Sequence, residues 1–184
     1  MKMAKKREKK WYEILASKQF NNLPIGETVA YEDKNLIGRI IKANVANLVR
    51  DPKLQNVRLN FRINEIKEGK AHTEIYGYSL VGSYIKRIVR AGRSKVDDSF
   101  LVNTKDGVKI RLKPLVLTRY KTQRSVLTAL RKLVEKDFRE YIEKENYDKF
   151  VSELVSKKLQ RDLKRKLGKI YPVGMVEIRI MKRI

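Results

Sequence analysis

Cysteine is absent from the chain, which excludes disulfides, thiolate nucleophiles and every cysteine-ligated metal site, and fits a reducing interior. Histidine occurs once, at His72, with no second imidazole to share a metal; in its strand-like setting a structural role is the simpler reading. The nine glycines are scattered singly, so no phosphate-cradling loop of Walker or dinucleotide type is present. No apolar run approaches the roughly 20 residues that a bilayer span needs. Met1 to Arg7 is basic like the start of a signal peptide, but no apolar segment follows, so no export signal is expected and the protein is expected to stay in the cytoplasm. Acid is also scarce. The adjacent acid pairs, Glu32-Asp33 and Asp97-Asp98, would point to opposite faces of a strand, so neither makes a carboxylate dyad by itself.

What is abundant is positive charge. Lys and Arg number 44 against 21 Asp and Glu, a formal net charge of +23 over 184 residues. Such a chain repels itself until a polyanion neutralises it, and nucleic acid or an anionic membrane surface would serve. The charge is spread: net +5 over residues 1–20, +9 over 21–120 and +9 over 121–184. A single DNA-reading helix on a neutral scaffold would be more lopsided. With 42% hydrophobic residues the chain can also bury a core.

Periodicity divides the chain. Residues 1–10 are almost all charged and are expected to be disordered in the free protein. Leu23-Pro24-Ile25-Gly26 reads as a turn. From Thr28 to about Leu117 the pattern is mostly β. Val57, Leu59, Phe61 and Ile63 alternate with polar residues, and segments 36–45, 71–80 and 108–117 also have strand character. Lys105-Asp106-Gly107 suits a hairpin turn between strands near 99–104 and 108–117. One helix interrupts them, with Leu80, Val81, Tyr84, Ile85, Ile88 and Val89 at helical spacing and Gly92 as its stop. After Tyr120 two amphipathic helices are expected. The first runs from Val126 to Ile142; the second runs from Tyr147 to Leu167, with Asn146 as cap and Gly168 and Pro172 as terminators. Val176, Ile178 and Ile180 mark a last strand.

The candidate sites are basic. Lys5, Lys6, Arg7, Lys9 and Lys10 form an arm that would thread along RNA and order on binding, or else a solvated tail. Trp11 and Tyr12 could stack on bases, but anchoring the chain on its own core is the preferred reading. Lys86, Arg87 and Arg90 would share a helix face, and Arg93 and Lys95 continue the run to Asp97. Lys109, Arg111 and Lys113 line one side of a strand, where an anionic partner or acidic cross-strand neighbours would relieve their repulsion. Arg119, Lys121 and Arg124 follow. Lys157, Lys158, Arg161, Lys164, Arg165, Lys166 and Lys169 load the second C-terminal helix. Its apolar stripe reads as a core seam, with a membrane-surface helix as the alternative.

Short blocks spread along the chain carry a resemblance. Lys9-Lys10-Trp11-Tyr12 with Phe20-Asn21 and Gly26-x-Thr28 comes first, then Leu36-Ile37-Gly38-Arg39-Ile40. Thr104-Lys105-Asp106-Gly107 with Ile110-Arg111-Leu112 follows, then Gln123-Arg124-Ser125, and finally Ile170-Tyr171-Pro172 with Val176 and Arg179. In this order they resemble the small-subunit ribosomal protein S-three-Ae family, also called S-one-e, of archaea and eukaryotes. Where the family signature usually carries Glu, Ser or Cys, and Asp after Gly-Arg, this chain has Lys42, Asn44 and Asn47, which makes that face more basic. A long C-terminal extension of eukaryotic members is missing, which favours an archaeal source. Arg39, inside the second block, joins the RNA-facing set.

The fold expected is α+β: a mostly antiparallel, β-barrel-like core with a C-terminal helix–helix–strand unit and a basic N-terminal arm. The divisions expected are 1–12 (arm), 13–120 (core) and 121–184 (helix–helix–strand). The resemblance implies a structural, non-enzymatic constituent of the small ribosomal subunit, without cofactors or metal. It would sit on the platform near the messenger-RNA exit, with small-subunit rRNA, neighbouring platform proteins and mRNA as partners, and no membrane. The competing functions are a free-standing nucleic-acid-binding protein, a Mg²⁺-dependent nuclease built on the acid pairs, and a membrane-surface protein.

Overall fold

The computed structural model describes residues 9–184, and Lys5, Lys6 and Arg7 lie outside them. The described residues form two compact units, one ending at Tyr76 and the other spanning Gly77–Ile184.

The first unit is built on alternation. β1 (Lys10–Leu15) pairs antiparallel with β2 (Pro24–Ala30), and β3 (Ile40–Asn44) pairs antiparallel with β4 (Val57–Lys67). A short helix, α1 (Val45–Val49), follows β3. β5 (Lys70–Leu80) begins here, parallel to β1 and beside β4. Glu68 and Gly69, both at positive φ, join β4 to β5, the conformation a two-residue hairpin requires. Val57, Leu59, Phe61 and Ile63 are fully buried, as their spacing predicts. Each such side chain stabilises the fold by about 1.5–3 kcal/mol. Tyr12, Ile14, Ala30, Leu36, Ile63 and Ala71 form one core cluster.

Two local readings are corrected in this unit. The turn expected at residues 23–26 lies earlier, where Asn21 and Asn22 take positive φ; Pro24 instead opens β2, a strand with one neighbour, where a missing N–H costs no ladder bond. The strand expected over 36–45 is only Ile40–Asn44. Gly38 at φ +85 breaks the extended run, although its N–H still donates to Ile63 O.

The second unit centres on β8 (Lys109–Thr118), which pairs antiparallel with β6 (Lys95–Asp97), β7 (Phe100–Asn103) and β9 (Val173–Arg183). Pro114 cannot donate to the ladder, and the β8–β9 register shifts beside it. Residues 77–79 of β5 pair with β9. Three helices follow β8: α3 (Arg124–Ile142), α4 (Tyr147–Val155) and α5 (Lys158–Leu167). α3 packs on β6, β7 and α5, and α5 packs on α4 and β9. The turn at Lys105-Asp106-Gly107 is where expected, with Gly107 at φ +74. Asp106 does a second job. Its Oδ2 accepts from Tyr147 N at 2.9 Å, so it caps α4 from across the fold, while Asn146 occupies the N-cap position without a side-chain bond.

The helical readings change in number and length. The expected second helix is two, because Lys157 adopts φ +57 between α4 and α5 and its ammonium reaches Glu177 at 3.0 Å. Leu154 O accepts from Lys157 N and from Gln160 Nε2, both at 3.2 Å. The helix expected over 80–92 is α2 (Gly82–Ile88). It stops early because Ser94, just before β6, is held to Thr118 by two hydrogen bonds, Ser94 N to Thr118 Oγ1 and Thr118 N to Ser94 O, and a longer helix would carry the chain past that point.

The barrel-like core is also corrected. The nine strands run β2-β1-β5-β9-β8-β6, with β3 and β4 joined through β5, and β7 beside β8. Closure requires two neighbours for every strand, and among the described residues β2, β3, β6 and β7 each have one. The sheet is mixed and open, in an α+β chain with helices concentrated in the C-terminal part and a final strand.

Candidate nucleic-acid interface

In the first unit the arm's last two cations are described. Lys9 is exposed, its ammonium 5.6 Å from the Tyr31 ring centroid, and Lys10 opens β1. Trp11 and Tyr12 part company. Neighbours on a strand point oppositely, and Tyr12 takes the core face with Ile14 while Trp11 stays 70% exposed. Trp11 therefore does not anchor the core, contrary to the preferred reading; Tyr12 does, donating its hydroxyl to Asp33. That bond to a carboxylate raises the tyrosine's pKa. Arg39 is tied to β2, donating to Thr28 Oγ1 at 2.5 Å. Asn44 caps α1 by accepting from Ala46 N, while Lys42 and Asn47 are exposed.

In the second unit Lys86 and Arg87 are exposed on the last turn of α2, with Arg87 5.7 Å from the Tyr84 ring. Arg90 lies beyond the helix and does not share its face; its Nε folds back to Arg87 O at 3.2 Å. Lys109 and Arg111 are exposed and Lys113 half-buried on β8. Their register partners are not acidic: Lys109 faces Asn103, and Arg111 sits between Leu101 and Lys182. The alternative of acidic cross-strand neighbours therefore falls away for these two. Lys95, Lys121 and Arg124 are exposed.

The most concentrated feature lies against α5. A hollow of about 860 Å³ is lined by Arg93, Arg119, Arg161, Lys164 and Arg165, with Gly168 and the Pro172–Met175 segment. Among the described residues no carboxylate lines it. Arg161, Lys164 and Arg165 fall at i, i+3 and i+4, one flank of the helix. Sequence reasoning noted these cations but kept them out of the RNA-facing set. Their spacing was visible; the approach of Arg93 and Arg119 from remote loops was not.

The opposite flank of α5 borders a second cleft, and there charge is matched. Lys158 meets Glu153 at 3.3 Å, Lys166 meets Asp137, and Lys149 meets Glu145 at 2.8 Å. Tyr141 donates its hydroxyl to Glu153. That bond, joined by Lys158 and Lys149, lowers the Glu153 pKa, while burial and the same carboxylate raise that of Tyr141. The acid pair Asp97-Asp98 is taken up structurally, Asp97 with Arg179 at 2.9 Å and Asp98 with Arg131 at 2.8 Å. Among the described residues no three His, Asp or Glu side chains converge as a metal site. No helix among them is long and apolar enough to cross a membrane. Leu159, Leu163 and Leu167 are buried, so the apolar stripe of α5 is a core seam and is not free to lie on a lipid surface.

The chain is thus a strongly basic α+β protein with cations distributed over strand faces, loops and one flank of α5. The profile of the Ribosomal S3Ae family matches residues 2–184, and the chain belongs to that family. It is similar to small ribosomal subunit protein eS1 of Staphylothermus marinus, 36% identical over 92% of this chain and 80% of the relative. The protein of that name from Sulfolobus acidocaldarius is 37% identical over 92% and 87%. The one from Nanoarchaeum equitans is 33% identical over 97% and 90%. The chain is thus an archaeal type of the family. Several residues of the resemblance blocks hold the fold together. Phe20 packs edge-on against Phe61, Asp106 caps α4, and Tyr171 donates to Lys121 O.

Proposed function

We propose that the chain is a structural, non-catalytic constituent of the archaeal small ribosomal subunit that binds small-subunit rRNA. The observation that carries this is the family match over nearly the whole length, on a chain in which the described lining of the hollow holds no carboxylate, although Arg165 reaches Asp162 at 3.7 Å, and in which Lys109 and Arg111 of β8 have no acidic register partner. The RNA-facing set comprises Arg39, the Lys86–Arg87 pair, Arg90, Arg93, Lys95, the β8 row and Arg119, Lys121 and Arg124, with the arm, and now Arg161, Lys164 and Arg165. Placement on the platform near the messenger-RNA exit, contact with neighbouring platform proteins and with mRNA, and a cytoplasmic location follow from the family resemblance as parts of this reading. Each phosphate neutralised steepens the salt dependence of binding by about 0.9 in log–log slope on duplex, and folded rRNA should be of that order.

The test is co-sedimentation. The protein should travel with small subunits through high-salt washing and be absent from the free pool. A protein found free in the cell, and binding duplex DNA as tightly as rRNA at equal salt, would favour the free-standing nucleic-acid-binding reading instead.

A further inference from the structure

The hollow beside α5 has something the other basic faces lack: a buried polar pin that sets two of its guanidiniums. Thr118 is fully buried. Its hydroxyl accepts from Ser94 N at 2.9 Å, and its own N–H donates to Ser94 O at 2.9 Å. The hydroxyl proton can go to Tyr120 O, 2.6 Å away. Ser94 Oγ accepts in turn from Thr122 N at 3.1 Å. The pin thus ties the residue after Arg93 to the residue before Arg119. Arg119 is fixed a second time, its N–H donating to Pro172 O at 3.0 Å. Among the described residues the side chains of Arg93 and Arg119 have neither hydrogen bond nor ion pair.

Across the hollow, Arg161 donates to Ser156 O at 3.2 Å and Lys164 to Gly174 O at 2.8 Å, so both cations are held by backbone carbonyls and keep their charge uncompensated. Guanidiniums present paired donors that match phosphate oxygens, and like charges held together favour an anion between them. A liquid water occupies about 30 Å³. A hollow of about 860 Å³ has room for far more than one small ion.

We propose that this hollow seats consecutive backbone phosphates of one RNA strand. Arg93 and Arg119 are its paired-donor contacts, Arg161 and Lys164 form its second wall, and Thr118 is a positioning residue. The proposal rests on the rRNA-binding reading above and names where that binding concentrates.

The full-length chain is titrated with small-subunit rRNA in a filter-binding series from about 0.05 to 0.3 M salt. Arg93→Ala with Arg119→Ala is expected to weaken binding about tenfold and to make the salt slope shallower by about two. Both arginines are exposed, so the melting temperature should hold. Thr118→Val should weaken binding in the same direction and Thr118→Ser should restore it. The charge-matched control is Lys132→Ala with Lys136→Ala on α3, where Glu135, Glu140 and Glu143 share the face; it should change binding less than about twofold. If wild type binds with a steep slope but the arginine pair behaves like the control, the hollow is not the site, while the rRNA reading stands. If wild type shows no salt-dependent rRNA binding, the rRNA reading itself falls. If inorganic phosphate binds wild type but not the arginine variant while the two bind rRNA equally, the site takes a free anion and the proposal is overturned.

Discussion

α5 has two flanks that look alike in sequence and differ in charge pairing. On one, Lys158 and Lys166 meet Glu153 and Asp137, and Tyr141 completes the set. On the other, Arg161 and Lys164 meet only backbone carbonyls, and the cations opposite them, Arg93 and Arg119, meet nothing among the described residues. The first flank is an exposed-to-half-buried ion-pair seam that contributes modestly to stability. The second keeps its charge available to a ligand. A count of lysines and arginines does not separate a helix face that is neutralised at home from one that awaits an anion. The position of the carboxylates does.

The comparison breaks most completely if the core under both flanks is removed. Leu163 is 1% exposed beneath α5, and Leu163→Ala should cost about 2–5 kcal/mol in urea denaturation. A variant that kept full stability while losing rRNA binding would show that the flanks do not share one core. The next effect is smaller. Lys157→Ala would leave the Glu177 carboxylate, 7% exposed at its side chain, without its ammonium. The expected loss is about 2 kcal/mol, below the ~3–5 of a fully buried pair because Lys157 is itself 30% exposed. Unchanged stability would mean that water already serves Glu177.

The seam should also respond to acid where the hollow does not. Glu153 is held below its ordinary range, first by the Tyr141 hydroxyl and then by Lys158 and Lys149. A carboxylate depressed on folding contributes stability above its unfolded pKa and loses it as pH falls through the folded value. Wild type should therefore weaken toward acid more than Glu153→Gln does, in thermal melts across the acid range, while rRNA binding stays level from about pH 6 to 8, above the ordinary carboxylate range. Equal acid sensitivity of both proteins would remove Glu153 from the account. Smallest of all, Lys86→Ala with Arg87→Ala should weaken rRNA binding a few-fold and shift stability by no more than about 0.5 kcal/mol. Loss of folding there would show that the Arg87 contact with Tyr84 is structural.

Much of the fold was legible in the residues because period and face are local properties. The alternation at Val57–Ile63, the Asp-Gly turn before β8 and the leucine spacing of α3 each follow from a side chain's neighbours in sequence. Trp11 was misread because a Trp-Tyr pair does not say which member takes the core face of β1; the pairing of Tyr12 with Asp33 decides it. The helix break at Lys157 was invisible because no glycine or proline marks it. Lys157 there takes φ +57 and its ammonium meets Glu177, 20 residues away on β9. The basic faces were legible as charge, and the hollow was not.

By itself, the sequence determined a strong excess of positive charge, a net +23 that makes the chain repel itself unless anions screen it. It also determined the alternation of strands, then helices, then a last strand, since those periods are written residue by residue. Only the tertiary structure decided that the sheet stays open, because closure depends on which edges find partners. And only the tertiary structure decided which cations remain unmatched. Arg93, Arg119 and Arg161 are far apart in the chain, and Coulomb interactions are set by distance in space, so their convergence in one acid-free hollow arises only when β8, β9 and α5 pack together.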